Sequence, residues 1–159
     1  MLLKPGRRLC SWTTTGYFHA DMNDFTLHPR LESGSFFVGR KAGCLVLLKD
    51  NACFPWLLIV PEVPSGLEDL HQLEPERYAQ VLGLLREVSE FVADFFQPDK
   101  LNVACLGNQV RQMHLHVVGR REGDAAWPNT VWAGDARTAW EPDRAMEILT
   151  GARAALGLV

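Results

Sequence analysis

The sequence predicts an α+β fold, in which an antiparallel sheet of about five strands packs against one long helix and a C-terminal helix. Short apolar runs bounded by turn residues recur along the chain, one long segment has helical periodicity, and the link between the two densest runs suits a hairpin. A chain of 159 residues has the size of one domain. We therefore expect a single domain over residues 24–159, preceded by an N-terminal extension over residues 1–23.

The strands are predicted from their apolar runs. Cys44–Leu48 and Trp56–Val60 are short, rich in branched aliphatic residues and joined by a short connection, which is typical of buried strands. Residues 34–40 indicate an earlier and weaker strand. Two further strands are predicted over residues 100–108 and 111–121, and the last has strict alternation of apolar and polar side chains.

Two helices are predicted from the spacing of apolar residues. Between Pro75 and Phe96 these residues recur at intervals of three and four, which is the pattern of a helix packed on one face. Pro75 suits the first helical turn, Pro98 prevents the helix from continuing, and Pro142 begins the last helix. The expected core positions are Tyr78, Val81, Leu82, Leu85, Val88, Val92 and Phe95 in the long helix and Ala145, Ile148, Leu149, Ala152 and Leu156 in the last.

Composition argues against several classes of function. The net charge is −3 and no run of lysine or arginine is present, so we expect no nucleic acid partner. Apolar runs stay below the roughly 18 residues of a membrane span, and we expect no membrane partner. The four cysteines are spaced too widely for a zinc or redox motif. A reducing compartment is therefore favoured, and we expect a cytoplasmic protein.

The segment NQVRQMHLHVV, residues 108–118, is the clearest candidate for a functional site. On a strand alternate side chains share a face, so Gln112, His114 and His116 are predicted to stand in a row, about 6–7 Å apart. A single histidine on a half-exposed strand is usually a surface residue. Two histidines and an amide on one face instead indicate a site.

Two kinds of chemistry suit a pair of histidines at this spacing. Two imidazoles can ligate a metal ion, but zinc or iron needs a third protein ligand, and no carboxylate or further histidine stands at a suitable spacing. A neutral imidazole is also a nucleophile toward phosphorus, and the second histidine would then protonate the leaving group. Asn108 and Gln109 would hold phosphate oxygens. We favour this second chemistry and expect no metal, which elemental analysis would test.

The segment resembles the signature of the histidine triad (HIT) superfamily. In that signature three histidines alternate with apolar residues after a turn of the Gly-Gln-Ser/Thr-Val type. Gly107 and Val110 match the turn, in which Asn108 replaces the usual glutamine and Gln109 replaces the Ser/Thr.

The resemblance implies a role for each polar residue of the histidine strand. His114 matches the middle histidine, the family's nucleophile, which forms a nucleotidyl-histidine intermediate, and His116 matches the third. Gln112 takes the place of the first histidine, as in a bacterial HIT-like subgroup. Any residue at this position supplies the backbone carbonyl that orients the nucleophile, and the amide of Gln112 would support the network. The implied catalytic residues are therefore His114, His116 and Gln112.

Further matches extend the resemblance over residues 25–130. Asp50 lies where the family has an acidic residue that binds ribose, and Asn102 resembles an asparagine that orients phosphate. FPWLLIVPEV resembles the family's PGHxLVIPK strand, with Trp56 in place of its histidine; we expect Trp56 to fill the core. The implied nucleotide-binding and phosphate-binding residues are Asp50, Asn102, Asn108, Gln109 and Val110.

Two other groups of residues are expected to be structural. Arg111, Arg120 and Arg121 flank the histidine strand, where arginines are usually solvated, although one of them is a candidate to steer a polyphosphate. The three tryptophans between residues 127 and 140 are expected to pack the C-terminal segment onto the body or onto a partner subunit.

The resemblance implies a nucleotide hydrolase or transferase that acts at the α-phosphate of a dinucleoside polyphosphate or nucleoside phosphoramidate. No cofactor is required for the covalent step, although Mg²⁺ can accompany a polyphosphate substrate. The expected partners are a small-molecule nucleotide and a second copy of the chain, with the sheet extended across the homodimer. The alternative is a nucleotide-binding module with little or no turnover, in which the altered triad serves sensing or scaffolding.

Overall fold

The predicted antiparallel α+β architecture is confirmed in a computed structural model that describes residues 25–158. The predicted extension over residues 1–23 lies outside the described residues. The five strands form one sheet of order β1-β2-β3-β5-β4. Along the chain the elements are α1 (Pro29–Glu32), β1 (Ser35–Lys41), β2 (Cys44–Lys49), β3 (Trp56–Pro61), α2 (Pro75–Phe96), β4 (Lys100–Cys105), β5 (Leu115–Arg120) and α3 (Pro142–Leu156), with short 3₁₀ helices at Leu70–Gln72 and Val131–Ala133.

Strand β5 carries His116, directly follows His114, and lies between β3 and β4. His116 is opposite Leu58 on β3 and opposite Ala104 on β4. Pairing with both neighbours begins at Leu115, so β5 starts later than the predicted residue 111. The reason is that β4 ends at Cys105, where the chain leaves the sheet, and that Pro61 at the end of β3 has no N–H to donate.

The two faces of the sheet are covered differently. Helices α2 and α3 cover one face, and Met113, Leu115 and Val117 belong to the core beneath them. Loops and α1 cover the other face, where Trp56 and Val118 belong to a second core. His114 and His116 alternate with these residues along the chain. Their side chains therefore lie on the opposite, loop-covered face of the sheet.

The helices agree with the predicted ranges, but the buried stripe of α2 is turned relative to the prediction. Leu84 and Phe91 are buried, whereas Tyr78 is 37% exposed. Phe95 packs instead against Gly151 of α3, where an added Cβ would lie 2.7 Å from the ring. The way in which α3 packs against α2 thus decides which apolar residues of α2 become buried. The predicted core positions of α3 are all buried.

Arg120 at the end of β5 is buried, so the solvated position expected for it is wrong. Its residue exposure is 1%. The guanidinium donates to both carboxylate oxygens of Asp124, at 2.7 and 2.8 Å, and to the Asn102 side chain and the Asn129 backbone carbonyl, each at 2.9 Å. It also lies over the ring of Trp127, 5.6 Å from the centroid. This network connects β4, β5 and the loop that follows β5.

We expect the Asp124→Asn variant to lose about 3 kcal/mol of unfolding free energy, because it leaves a buried guanidinium without its countercharge. Hydrogen bonds from Arg120 are the main cause that lowers the pKa of Asp124 to about 2. Since the folded pKa is depressed, the wild-type protein should keep this stabilisation above pH 4 and lose it only as the pH falls toward about 2. Urea denaturation at pH 7 measures the effect.

The control for this prediction is Glu122→Gln, which removes an exposed carboxylate two positions away. Its unfolding free energy should stay within about 0.5 kcal/mol of the wild-type value. Equal losses in the two variants would contradict a specific role for the Arg120–Asp124 pair.

Candidate active site

A cavity of about 570 Å³ opens on the loop-covered face of the sheet. This volume suits a small-molecule ligand. The cavity lies against β5 and is enclosed by α1, the end of β2 and the loops that follow β4 and precede α3. Its polar lining consists of Arg30, Ser33, Lys49, Asp50, Asn51, Asn108, Gln109, His114, His116 and Arg137.

His114 is held in one tautomer by the backbone. Its Nδ1 lies 2.7 Å from the carbonyl oxygen of Gln112. A carbonyl only accepts, so Nδ1 carries the hydrogen and donates it, and Nε2 keeps its lone pair. Burial is the main cause that lowers the pKa of His114 below its usual 6.5, outweighing the carbonyl contact. At neutral pH the ring is therefore an uncharged imidazole with an available lone pair.

His116 is held in the opposite tautomer by Trp56. The indole Nε1–H can only donate, and it donates to Nδ1 of His116 at 3.0 Å. The hydrogen of the neutral His116 ring is therefore on Nε2, which lies 3.5 Å from the carbonyl oxygen of Leu106, at the limit of a hydrogen bond. Burial, followed by the charge of His114, lowers the pKa of His116 to about 4. The two histidine ring centroids are 4.7 Å apart.

Aromatic rings enclose His116 on two sides. Its ring centroid lies 5.5 Å from that of Trp56 and 5.4 Å from that of Trp132. Trp56 is 8% exposed and packs in the core, as expected, but it also makes the hydrogen bond to His116. Trp132 lines the cavity, a position that the sequence does not indicate because it depends on how the loop before α3 folds back. Trp140 does pack the C-terminal segment onto the body, since its Nε1 donates to the Lys49 carbonyl at 3.0 Å.

The side chain of Gln112 lies in a neighbouring cavity, lined by residues 25–29 and 63–68. Its Oε1 accepts from the His28 backbone N–H and its Nε2 donates to the Thr26 carbonyl, both at 2.9 Å. The predicted row of three polar side chains is therefore wrong for Gln112, which lies three residues before the start of β5, whereas His114 directly precedes that strand. The backbone carbonyl of Gln112 therefore contributes to the site, whereas the Gln112 side chain is hydrogen-bonded to the segment before α1.

Most of the residues expected to bind nucleotide do line the cavity. Asn108, Gln109 and Val110 reach it from the loop after β4, and Asp50 reaches it from the end of β2. Asp50 Oδ1 accepts from the backbone N–H of Trp140 at 3.0 Å.

Asn102 is placed elsewhere. It lies on β4, and its Oδ1 accepts a hydrogen bond from Arg120 at 2.9 Å, within the network that joins the strand ends. The side chain is thereby committed to a structural contact. The sequence match predicted a phosphate contact for Asn102. The sequence could not show that the cavity does not reach this part of β4, because only the fold shows how far along the strand the cavity extends.

Three cations line the cavity although no local pattern indicates them: Arg30, Lys49 and Arg137. Burial, then the charge of Arg137, lowers the pKa of Lys49, and Arg30 acts in the same direction while Asp50 opposes it. Because the three come from separate parts of the chain, their spacing gives no signal in the sequence. They make the cavity attractive to anions. Of the flanking arginines, Arg111 pairs instead with Glu68 outside the cavity.

Two further properties apply to residues 25–158, which the structure describes. Within this range, no cluster of three or more His, Cys, Asp or Glu side chains is arranged to hold a metal ion. The same part of the chain has no helix with the length and apolar character needed to cross a membrane.

Comparison with known proteins identifies the family. The model of the HIT domain family matches residues 30–123, more than half of the chain. This chain belongs to the HIT family. None of the curated proteins matches it. HIT proteins are generally nucleotide-binding hydrolases or transferases.

Three solved structures of HIT proteins resemble the chain over most of its length. Histidine triad protein blr8122 from Bradyrhizobium japonicum is 33% identical, with a TM-score of 0.80 over 83% of this chain and 98% of that one. Histidine triad protein SMc02904 from Sinorhizobium meliloti 1021 is 30% identical, with a TM-score of 0.79 over 84% and 98%. A histidine triad protein from Marinobacter aquaeolei VT8 is 34% identical, with a TM-score of 0.79 over 84% and 96%.

We expect Gln112→Ala to lower the unfolding free energy by about 1–2 kcal/mol, because two side-chain hydrogen bonds to the segment before α1 are lost. The Nδ1–H tautomer of His114 should be unchanged, because residue 112 keeps its carbonyl. Urea denaturation and the ¹⁵N chemical shifts of the imidazoles measure the two effects. Gln109→Ala, which loses one long contact of 3.3 Å to Arg30, is the matched control. A changed His114 tautomer in Gln112→Ala would show that the side chain, and not the carbonyl, orients the ring.

We expect the stability of the HIT domain to fall as the pH drops from about 6.5 toward 4. His114 and His116 bind protons less readily in the folded protein than in the unfolded chain, so the unfolded state gains more protons in this range. Denaturation at several pH values measures the slope. His116→Gln should reduce the slope, whereas His71→Gln, at an exposed position, should retain it. A slope unchanged in His116→Gln would refute this origin.

Proposed function

We propose that this HIT protein is a nucleotide hydrolase or nucleotidyltransferase that acts at the α-phosphate through a covalent intermediate on His114. The observation that carries the proposal is the 2.7 Å hydrogen bond from His114 Nδ1 to the Gln112 carbonyl. It leaves Nε2 as the nitrogen with a lone pair, in a cavity of nucleotide size. The lowered pKa of His114 keeps this lone pair free at neutral pH.

The reaction has two steps. First, Nε2 of His114 attacks the α-phosphorus, a phosphorus–nitrogen bond forms, and the bond to the leaving group breaks with its electron pair on the leaving atom. Second, water attacks the same phosphorus, the phosphorus–nitrogen bond breaks with its electron pair returning to His114, and the proton of the water is released to solvent. An alcohol or phosphate in place of water gives a transferase.

The binding residues divide by chemistry. Asn108 and Gln109 offer amides to phosphate oxygens, Val110 lines the same space, and Asp50 has a carboxylate oxygen for ribose hydroxyls. The cations of the lining balance the charge of the phosphates. No cofactor is needed for the covalent step, and Mg²⁺ can accompany a polyphosphate substrate.

The proposal includes a homodimer joined along β4. This strand is at the edge of the sheet, and Val103 on it is 47% exposed. An edge with free backbone groups is a template for pairing with a second chain. Sedimentation measures the oligomeric state. We place the protein in the cytoplasm, where reducing conditions suit the free thiols of Cys44, Cys53 and Cys105.

A nucleotide-binding module with little turnover is the second candidate. One observation favours it: the Gln112 side chain at the first triad position is used to fasten residues 26–28, so it adds nothing to the chemistry beyond its carbonyl. The two candidates differ in whether His114 becomes covalently modified.

We expect His114→Ala to abolish the adduct and to lower kcat by about 10³-fold or more, because the nucleophile is lost. Nucleotide affinity should change little, because the cations and amides remain. Intact-protein mass spectrometry after brief mixing with nucleoside phosphoramidates and dinucleoside polyphosphates measures the adduct. The control is His71→Ala, outside the cavity. If wild-type protein gives neither an adduct nor a nucleoside monophosphate across the panel, the binding module is the better description.

A further inference from the structure

We propose that Trp56 is a positioning residue that fixes His116 as a neutral hydrogen-bond donor, and that the site consequently favours leaving groups that depart as anions. The first part concerns the protein alone. The second part rests on the proposed function.

The contact is between two buried groups. Trp56 is 8% exposed and His116 is 6% exposed, and the indole nitrogen lies 3.0 Å from the imidazole Nδ1. The indole can only donate, so Nδ1 must accept. Breaking the contact would leave a buried donor and a buried acceptor without partners. The surrounding core therefore maintains the Nε2–H tautomer of His116.

A second proton on His116 has no suitable position. It would have to bind Nδ1, where it would point at the indole N–H. Burial opposes the charged form most strongly, and a protonated His114 and the ammonium of Lys49 would repel it, whereas the Leu106 carbonyl favours it. The geometry therefore makes His116 a donor of a hydrogen bond through Nε2–H, rather than an acid that gives up a proton.

This distinction selects the leaving group. When an amine leaves, the phosphorus–nitrogen bond breaks with its electron pair on nitrogen, and this nitrogen must gain a proton. Neutral His116 supplies one only by becoming an anion. When a phosphate leaves, the electron pair stays on oxygen and no proton is needed, because the hydrogen bond of His116 and the nearby cations stabilise the charge.

The cations are present in the same cavity. Arg30, Lys49 and Arg137 line it together with His114 and His116. They have no role in the departure of a neutral amine, but they suit a phosphate or polyphosphate leaving group. We infer that the preferred substrate class is nucleoside polyphosphate derivatives, such as dinucleoside polyphosphates, over nucleoside phosphoramidates.

The first part is tested by ¹⁵N NMR of the imidazoles, which needs no turnover. In the wild-type protein we expect His116 to stay in the Nε2–H tautomer between pH 5 and about 8, with a scalar coupling from Trp56 Nε1 to His116 Nδ1 across the hydrogen bond. Trp56→Phe removes the donor and keeps an aromatic ring. In this variant the titration midpoint of His116 should rise by roughly 0.5–1 pH unit.

Trp132→Phe is the matched control, because Trp132 flanks the same ring without donating to it and its centroid distance of 5.4 Å is similar. The midpoint should not move in this variant. A protonated Nδ1 in wild-type His116, absence of the coupling, or equal shifts in the two variants would overturn the positioning role. The wild-type measurement decides the question even if Trp56→Phe does not fold.

The second part is tested with two substrates that share a nucleoside, one a phosphoramidate and the other a dinucleoside polyphosphate. We expect the wild-type kcat/KM to favour the polyphosphate by about 10²-fold, the scale of a missing general acid. Trp56→Phe should narrow this ratio, and Trp132→Phe should not. A preference for the phosphoramidate would overturn the leaving-group inference. Turnover of neither substrate would overturn it together with the proposed function, while the NMR result would still decide the role of Trp56.

Discussion

The hydrogen bond between His114 Nδ1 and the Gln112 carbonyl depends on where β5 begins. A carbonyl inside a strand is normally bonded to the neighbouring strand, but pairing starts only at Leu115. The Gln112 carbonyl is thus free to accept from the imidazole at 2.7 Å. The early end of β4 and the proline that ends β3 therefore do more than shorten a strand. They create the acceptor that gives His114 its tautomer.

The two histidines are two residues apart and lie on the same face of the sheet, yet their hydrogen-bond partners give them opposite tautomers. His114 donates from Nδ1 to the backbone, while His116 accepts at Nδ1 from Trp56. At Nε2 one ring consequently carries a lone pair and the other an N–H, and both rings line the same cavity. The division of chemical roles arises from the partners and not from the histidines themselves. Burial helps to maintain the two neutral tautomers, because it disfavours a charge on either ring.

Positive charge is distributed in the fold according to burial and countercharge. Arg120 is buried because Asp124, Asn102 and a backbone carbonyl satisfy its donors, so it serves to join strand ends. Among residues 25–158, no carboxylate forms a salt bridge with Arg30, Lys49 or Arg137, and these three cations line the cavity instead. A ligand with several phosphates would supply the missing negative charge. The same residue types thus serve structure in one place and line the candidate binding cavity in another.

The sequence by itself determined the fold class, the strands and helices, and the position of His114 and His116, because periodicity is local and the HIT signature is contiguous. Tertiary structure alone decided that Gln112 turns its side chain away, that Asn102 serves Arg120, and that Trp56 donates to His116. Each of these contacts joins residues far apart in the chain. A hydrogen bond depends on distance and direction between such residues, and no local pattern records either.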